Sequence, residues 1–594
     1  KNDCSNCGEG SIVEGYDPNA PDYDAVNEYG QQSFNSVGQM NLLGLGALTG
    51  EDNAANYFDT VVTTGYTEQE LFGNEASNIK GNAGIYYRPN SDTEISLSTL
   101  YGTGEAPLPA GNARYNIKDF VVQLHKFEIK SGGLTARAYY TAEDAGKTTQ
   151  SAALGNSVSG AQNLFSPSMA AGSPIAIEDY FNPENPNHWN GIQNGWGQIY
   201  LGTFLGGAAQ LNGFTPDGLG IQQFLSTQVA GNILGGGASF AEVVPGGAAT
   251  VAALHQAARA AANANMLQPG TPEFNAAVNA ATNGSILSLS DQGQSRPTLG
   301  AVIKDVSTVT TFEANYDFKD EIKFANIVIG GMYRSFNLDT DGTLYTDYDA
   351  PIEYTEFGMY GQLQKDLFDD NVSLTASLRY DKVEVMEDAN VTPRLGLLFK
   401  LSENKNLRLS AQVGYRNPTN QDKFIGLYNG EETLLGSTRQ NIERFGSDGR
   451  FQSLANGAAW QISGTDVFAN ALNKSAWDNG GNIVSEILDY VEAEKVTSYD
   501  IGYRYNSKDF TIDMNAYWSD YSNFIGTNSV YVASLIGINP SAPTDPPSTY
   551  ATSQEAMAAG NYHQFGMDAN LDVPFSAHGF SLEAIKKFSS RMTF

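Results

Sequence analysis

Residues 492–525, EAEKVTSYDIGYRYNSKDFTIDMNAYWSDYSNFI, decide the fold. Tyr499, Ile501, Tyr503 and Tyr505 alternate with Ser498, Asp500, Gly502 and Arg504. After a polar corner at Asn506, Ser507, Lys508 and Asp509, a second run places Phe510, Ile512, Met514, Ala516 and Trp518 against Thr511, Asp513, Asn515, Tyr517 and Ser519. A period of two reads as β-strand, because successive side chains of a strand point to opposite faces. The stretch is a hairpin with one apolar, aromatic face and one polar, charged face. In a soluble sandwich the apolar face would meet a second sheet, whereas in an outer-membrane barrel it meets lipid and the polar face lines an interior. Length favours the barrel: each arm offers about ten alternating residues or more, the span a tilted strand needs to cross a bilayer, against about five or six in ordinary strands.

The pattern recurs. Val372, Leu374, Ala376, Leu378 and Tyr380 alternate with Ser373, Thr375, Ser377, Arg379 and Asp381, preceded by Phe357, Met359, Gly361 and Leu363. Leu395, Leu397, Phe399 and Leu401 lead through a polar corner into Leu407, Leu409, Ala411, Val413 and Tyr415. Corners on one side are short; on the other, Gly146 to about Val306 and Asn417 to about Val491 form very long connections. Short turns at one rim and long loops at the other characterise an outer-membrane barrel. The expected fold is all-β, an antiparallel transmembrane β-barrel with long extracellular loops containing short helices.

The 594 residues show no break in character after the first fifty or so, so residues 78–594 read as one barrel unit, and the Cys-containing residues 1–77 as a loop region or the start of the barrel. With 34 Lys and Arg against 66 Asp and Glu, the formal net charge is −32. That excludes a nucleic-acid partner, whose phosphates demand a basic surface, and disfavours an anionic polymer as cargo. No run of about eighteen apolar residues exists, and a mean hydropathy of −0.31 suits strands that turn half their residues to water. Lys1 to Gly10 is polar and holds no apolar segment of the kind that forms a signal peptide.

Cys4 and Cys7 form a lone Cys-x-x-Cys. A zinc site would need two further ligands and none lies nearby, so a small disulfide in an oxidising compartment is preferred to free thiols. Strand alternation begins near Ile79 and includes a pair over Asn116 to Lys130 and Leu134 to Asp144. Inside the first long loop, Ala249 to Ala262 is rich in alanine and favours helix, as does Pro272 to Ala281 with proline at its start. Asp339, Thr340, Asp341 and Gly342 resemble the opening of a calcium loop without its later ligands; a turn is the better reading and no metal is assigned. Trp189, Trp196, Trp460 and Trp477, four of the five tryptophans, fall in the two long loops. They are read either as anchors that let large loops fold or as rings that stack on a ligand. Phe588, Ser590, Met592 and Phe594 alternate at the end, similar to the closing strand of bacterial outer-membrane proteins.

Val413 to Gln421, VGYRNPTNQ, carries a resemblance. Gly414, Tyr415, Arg416, Asn417 and Pro418 look like the Gly-Phe-Arg-Ala-Pro signature of TonB-dependent outer-membrane receptors, in the version found in Bacteroidota. Tyr115 to Lys130, Arg137 to Gly146, Asp339 to Tyr348 and Phe357 to Tyr380 resemble the same family in the same order. The resemblance implies a 22-stranded barrel around a plug. It further implies partners in outer-membrane lipid and the TonB protein of the inner-membrane energising complex, with a surface lipoprotein or other envelope proteins as further candidates. Alternation is legible for about fourteen strands and no plug is read, so the sequence is expected to be part of a longer receptor.

Enzyme chemistry finds no foothold. His125, His188, His255, His563 and His578 form no ligand pair, and no nucleophile elbow, phosphate loop or dinucleotide fingerprint occurs. No catalytic residue and no cofactor is assigned. Energy-coupled uptake of a nutrient, whether glycan, peptide or metal chelate, is the favoured function. A barrel acting as a structural or secretion-complex subunit is the alternative, and a secreted β-rich carbohydrate-active enzyme follows behind it.

Overall fold

The computed structural model describes residues 28–29, 33–35, 60–73, 75–110, 113–160, 196–234, 238–264, 266–283, 301–428, 432–446, 462–534, 536–537, 548–558, 562–571, 573, 575–589 and 592–593. Thirteen long strands dominate: β1 (Ser77–Asn90), β2 (Thr93–Ala110), β3 (Ala113–Ser131), β4 (Leu134–Asp144), β5 (Thr308–Asp317), β6 (Asn326–Leu338), β7 (Ile352–Leu367), β8 (Val372–Val383), β9 (Ala389–Ser402), β10 (Lys405–Arg416), β11 (Glu494–Asn506), β12 (Phe510–Ser522) and β13 (Phe575–Ser589). Each pairs antiparallel with its neighbour in sequence. With the two-residue strands Met592–Thr593 beside β13 and Thr149–Gln150 beside β3, they make a 15-stranded sheet.

The decisive hairpin has the expected register. Tyr499, Ile501, Tyr503 and Tyr505 of β11 stand opposite Trp518, Ala516, Met514 and Ile512 of β12, so one face is apolar across both strands. Ser507 closes the corner by donating from its backbone N and its hydroxyl to the Phe510 carbonyl, at 2.8 and 2.9 Å. The apolar face has no protein cover: Tyr499 is 53% exposed, Ile501 50% and Trp518 49%. Phe357, Met359, Leu378 and Leu395 continue the same exposed surface on neighbouring strands. A surface this apolar and this continuous is stable against hydrocarbon and not against water.

The opposite face carries ion pairs between and along strands. Glu128 on β3 is held by Arg137 of β4 at 2.5 Å and by Lys126 and Lys130 at 2.9 Å. Arg334 pairs with Glu356 at 3.1 Å, Arg379 with Asp381 at 2.5 Å, and Arg408 of β10 reaches Asp513 of β12 at 2.5 Å across β11. Most of the charge thus lies on one side of the strands, as the alternation in sequence requires, with Lys365, Lys495 and Lys586 as exceptions on the faces of Met359, Tyr499 and Phe580.

Three excursions leave one rim. The first, 145–307, contains α1 (Ser151–Gly160), α2 (Trp196–Leu211), α3 (Gly247–Asn263) and α4 (Pro272–Ala281), with Thr271 capping α4 through its hydroxyl. Both helices expected from the sequence are present, and together with Phe204, Phe224 and Phe240 they enclose a hydrophobic core. The second, 417–493, opens with α5 (Asn420–Phe424). The third, 523–574, was not read as a loop from the sequence. Its strands Phe524–Ala533 and Tyr562–Leu571 leave the barrel and join Gly426–Tyr428, Thr433–Leu435 and Leu472–Asn473 of the second excursion in a separate 5-stranded sheet.

If the exposed apolar face meets lipid, Ile501→Lys is expected to destabilise the protein in phospholipid bilayers by about 2–4 kcal/mol, the cost of a basic side chain near the membrane midplane. Ser410→Lys, on the polar face, is expected to cost well under half as much. Denaturant titrations of the vesicle-inserted protein compare the two.

Candidate ligand-binding face of the surface loops

The site begins where β10 ends. Gly414, Tyr415 and Arg416 stand opposite Val496, Lys495 and Glu494 of β11, and a Cβ on Gly414 would lie 3.2 Å from the Val496 side chain. The Tyr415 phenol lies beside Arg379 and Asp381. Arg416 donates two parallel bonds to Glu494, at 2.5 and 2.7 Å, and Glu494 in turn accepts from the Ile525 backbone N at 2.9 Å. This fork ties the start of the second excursion to the start of the third. Asn417 accepts from Asn390 at 3.4 Å, and the buried Pro418, which cannot donate to a ladder, ends the strand. Thr419 and Asp422 then cap α5 reciprocally. The five residues singled out in the sequence therefore mark the point at which a spanning strand becomes an inward-folded loop.

Helix α5 seats on the polar face of β6 and β7 at the rim. Phe424 is fully buried against Tyr354, Ile352, Leu338 and Val383. Lys423, only 2% exposed, donates to the Tyr354 hydroxyl at 2.7 Å, and that hydroxyl donates to Asn420 at 2.7 Å. The connection 339–351 zips onto α5 from the other side: Thr346 N donates to the Phe424 carbonyl at 3.1 Å and Gly426 N to the Leu344 carbonyl at 3.0 Å. Asn441, completely buried, accepts from the Thr346 hydroxyl at 2.6 Å and spends both amide protons on the carbonyls of Ile425 and Gly436. The Asp339–Gly342 segment is a turn, with positive φ at Asp341 and Gly342. Asp347 holds it by accepting from the Thr340 backbone N, the Thr340 hydroxyl at 2.6 Å and the Gly342 N at 2.9 Å. Burial pushes the Asp347 carboxyl up in spite of these donors. Among the described residues, no group of three or more His, Cys, Asp or Glu side chains is gathered for a metal.

The separate loop sheet has two unlike faces. Leu435, Val530, Val532, Phe565 and Met567 form its core with Phe445 and Val467. The other face presents Gln564, Asp568 and Asn570 beside Thr527 and Ser529. Glu432 accepts from Gln564 at 2.8 Å and from Ser529 at 3.4 Å, and Asp568 accepts from Thr527 at 3.3 Å. Residues 417–493 and 523–574 together hold fourteen acidic and five basic residues. Hydroxyls, amides and carboxylates in this balance suit a hydroxyl-rich or cationic ligand and repel an anionic one.

The loop tryptophans differ in what they offer. Trp196 is buried: its Nε1 donates to Asn263 at 2.8 Å, its ring stacks on Tyr200 with centroids 5.0 Å apart, and Arg259 lies 5.7 Å over it. It anchors α2 to α3. Trp477 is half-buried against Leu472, Tyr531 and Met557, next to a cluster in which Lys474 contacts Asp478 and donates to Tyr531 at 2.9 Å. Those two partners push the Lys474 ammonium up to about 12. Trp189, Trp460, Cys4 and Cys7 lie outside the described residues. The sequence reading missed Lys423, Tyr354, Asn441, Asp347 and Asp568. Only Lys423 left a trace, as a cation between the capping residue Asp422 and the apolar Phe424-Ile425.

Two groups on Tyr562–Leu571, outside the spanning strands, titrate in opposite senses. Burial, with Asp422 nearby, pushes the Asp568 carboxyl up to about 6, so its contribution to loop stability is complete below its ordinary range and is lost as pH rises through 6. Burial pushes His563 down to about 4, so its contribution is complete above its ordinary value and is lost as pH falls through 4. The two offset each other between pH 4 and 6. Asp568→Asn is therefore expected to lose loop stability by about 1 kcal/mol or more as pH falls from 6.5 to 4.5. His563→Gln is expected to gain over the same interval. Amide exchange of the loop sheet at the two pH values reads both.

The TonB dependent receptor-like, beta-barrel family model matches residues 272–581, just over half of the chain. Among solved structures, the chain is similar to the ferric enterobactin receptor of Pseudomonas aeruginosa, at 9% identity over 87% of this chain and 50% of that one, with a TM-score of 0.40. It is also similar to the siderophore receptor PirA of Pseudomonas aeruginosa, at 8% identity over 87% and 55%, with a TM-score of 0.38. The PirA of Acinetobacter baumannii stands at 9% identity over 86% and 51%, also with a TM-score of 0.38. The chain spans about half the length of these structures. No curated protein matches. With its antiparallel strands and more than half of its residues matched, the chain belongs to the TonB dependent receptor-like β-barrel family and is an outer-membrane protein.

Proposed function

We propose that this chain forms the barrel of a receptor that takes up a nutrient across the outer membrane with energy delivered by the TonB protein of the inner membrane. The observation that carries this is the seating of the second excursion: α5 and the 339–351 connection fold onto the polar face at the rim, so the loops stand over the path that a cargo would follow. Glycans, peptides and metal chelates remain the cargo classes, and the acidic balance of the loops favours a neutral or cationic member. The role is binding and passage, not catalysis.

The finer readings belong to the same proposal. Gly414 to Pro418 follow the Bacteroidota version of the family signature and set the geometry of the loop entrance. Trp477, with part of its surface open, is a candidate contact for ligand; Trp189 and Trp460 are carried forward from the sequence as further candidates, and Trp196 serves as an anchor of the loop core. Cys4 and Cys7 are proposed as a disulfide. Residues 1–77 are proposed as a loop region or the start of the barrel and residues 78–594 as the barrel with its loops, and a surface lipoprotein is a candidate partner.

The test is uptake of labelled candidate nutrients by cells expressing the full receptor. Uptake is expected to stop when the inner membrane is uncoupled; uptake that continues would rule out energy coupling. Arg416→Ala, which unties the fork to Glu494, is expected to weaken ligand binding roughly tenfold while insertion into the membrane is unchanged, since a charge-assisted bidentate pair contributes about 1.5–3 kcal/mol.

A further inference from the structure

Among the described residues, Lys423 is the one Lys or Arg that is buried. Its ammonium has three protons to donate and a single hydrogen-bond acceptor, the neutral Tyr354 hydroxyl at 2.7 Å. What surrounds it instead is aromatic. The Nζ lies 4.5 Å from the Tyr354 ring centroid and 5.7 Å from that of Phe336. Those two rings are stacked, with centroids 4.4 Å apart and planes within 4°, and Phe424 closes against Tyr354 at 5.4 Å. The facing charged groups are Glu356 on β7, which is 7% exposed and paired with Arg334 of β6, and Asp422 on α5 itself. Burial pushes the Lys423 ammonium down to about 8, while Glu356 and Asp422 pull the other way and Arg334 adds to the burial. An apolar side chain would fill this place without the desolvation of a charge.

We propose that Phe336, Tyr354 and Glu356 form a binding site for an alkylammonium group at the mouth of the barrel, and that Lys423 fills it in cis, making α5 a displaceable lid. Aromatic faces attract cations through their quadrupole, most strongly where water is excluded, and a carboxylate behind the rings adds to the attraction. A ligand bearing a primary ammonium competes with Lys423 for the box. When it wins, α5 is released into water, where the Lys423 ammonium regains its hydration. Besides the Thr419–Asp422 cap, α5 is held by the buried Phe424, by the Thr346 and Ser437 N–H groups donating to the Phe424 and Asp422 carbonyls, and by the Thr438 hydroxyl donating to the Lys423 carbonyl, so a ligand with several ammonium groups, not a single one, shifts the balance. As a statement about cargo, this rests on the uptake reading; as a binding site, it does not.

The experiment uses the purified full chain in detergent. Lys423→Ala deletes the atoms of n-propylammonium, so that ion is expected to raise the variant's melting temperature in proportion to its concentration. The same concentrations of 1-propanol are expected to do much less, and wild type is expected to respond to neither. Equal stabilisation by the alcohol, or none by the ion, overturns the cation site. For wild type, and for the case in which the alanine variant does not fold, amide exchange of residues 420–426 is measured with tetralysine and with tetraglutamate. Tetralysine is expected to speed exchange at least about tenfold and tetraglutamate to leave it unchanged, because displacement raises the open population directly. Unchanged exchange with tetralysine overturns the lid. Neither measurement involves the inner membrane, so failure here leaves the uptake reading standing, and failure of uptake leaves the box standing.

Discussion

The strand architecture of this protein follows from the hydrogen-bonding demand of a backbone placed in hydrocarbon. With no water available, each N–H and C=O in a spanning segment must find its partner within the protein, and strands meet that demand only by pairing along their whole length. The ladders do so: β11 pairs with β10 on one side and β12 on the other without a register shift, and every strand from β2 to β12 has a long strand on each side, with local register shifts at Gly104/Ala106 of β2 and Lys400/Ser402 of β9. Once the ladders are continuous, side chains must sort by face. Tyr499 and Ile501 go to one side, and Asp500 and Arg504 to the other. The ion pairs of Glu128, Glu356, Asp381 and Asp513 then offset the cost of placing charges on an enclosed surface.

The long connections solve a different problem. They lie outside the hydrocarbon and fold as ordinary protein, with helices in the first excursion and a mixed sheet built from the second and third. The parallel pairing of Thr433–Leu435 with Tyr562–Leu571 joins segments more than a hundred residues apart, which makes the second and third excursions one body. Ile425 and Leu427 of that body touch Ala153 of α1, so it also meets the helical excursion. Loop sheet and rim are therefore mechanically connected: the Arg416–Glu494 fork and the Thr346–Phe424 bond carry any movement of the loops to the strand ends.

How much of this was legible depends on the range of the interaction. The hairpin 492–525 could be read because alternation is local, and α3 and α4 because alanine content and a helix-starting proline are local. Gly414 to Pro418 could be read as a family signature because its residues are consecutive, and Asn417 as the start of a long connection because alternation stops there. The third excursion could not, since Phe524–Ala533 follows β12 almost directly and a further strand looks the same whether it pairs in the barrel or above it. Lys423 reads locally as a solvated residue of a short helix; its partner Tyr354 lies 69 residues away. Trp196 was open between anchor and ligand contact for the same reason, because the Asn263 that fixes it is 67 residues distant. Alternation also limits what it can tell: it separates the two faces of a sheet but does not name the medium on either side.

That medium is the central claim, and a nitroxide scan through positions 496–505 of the protein in phospholipid vesicles tests it most directly. Labels placed one at a time, with Cys4 and Cys7 replaced, report collisions with oxygen dissolved in lipid and with a water-soluble nickel chelate. Oxygen is expected to dominate at 499, 501 and 503 and the chelate at 498, 500 and 504, a period of two along the strand. Equal access of the chelate to both sets, or protection of 499 and 501 from both reagents, would mean that the apolar face meets water or another protein layer and would contradict the membrane-spanning barrel.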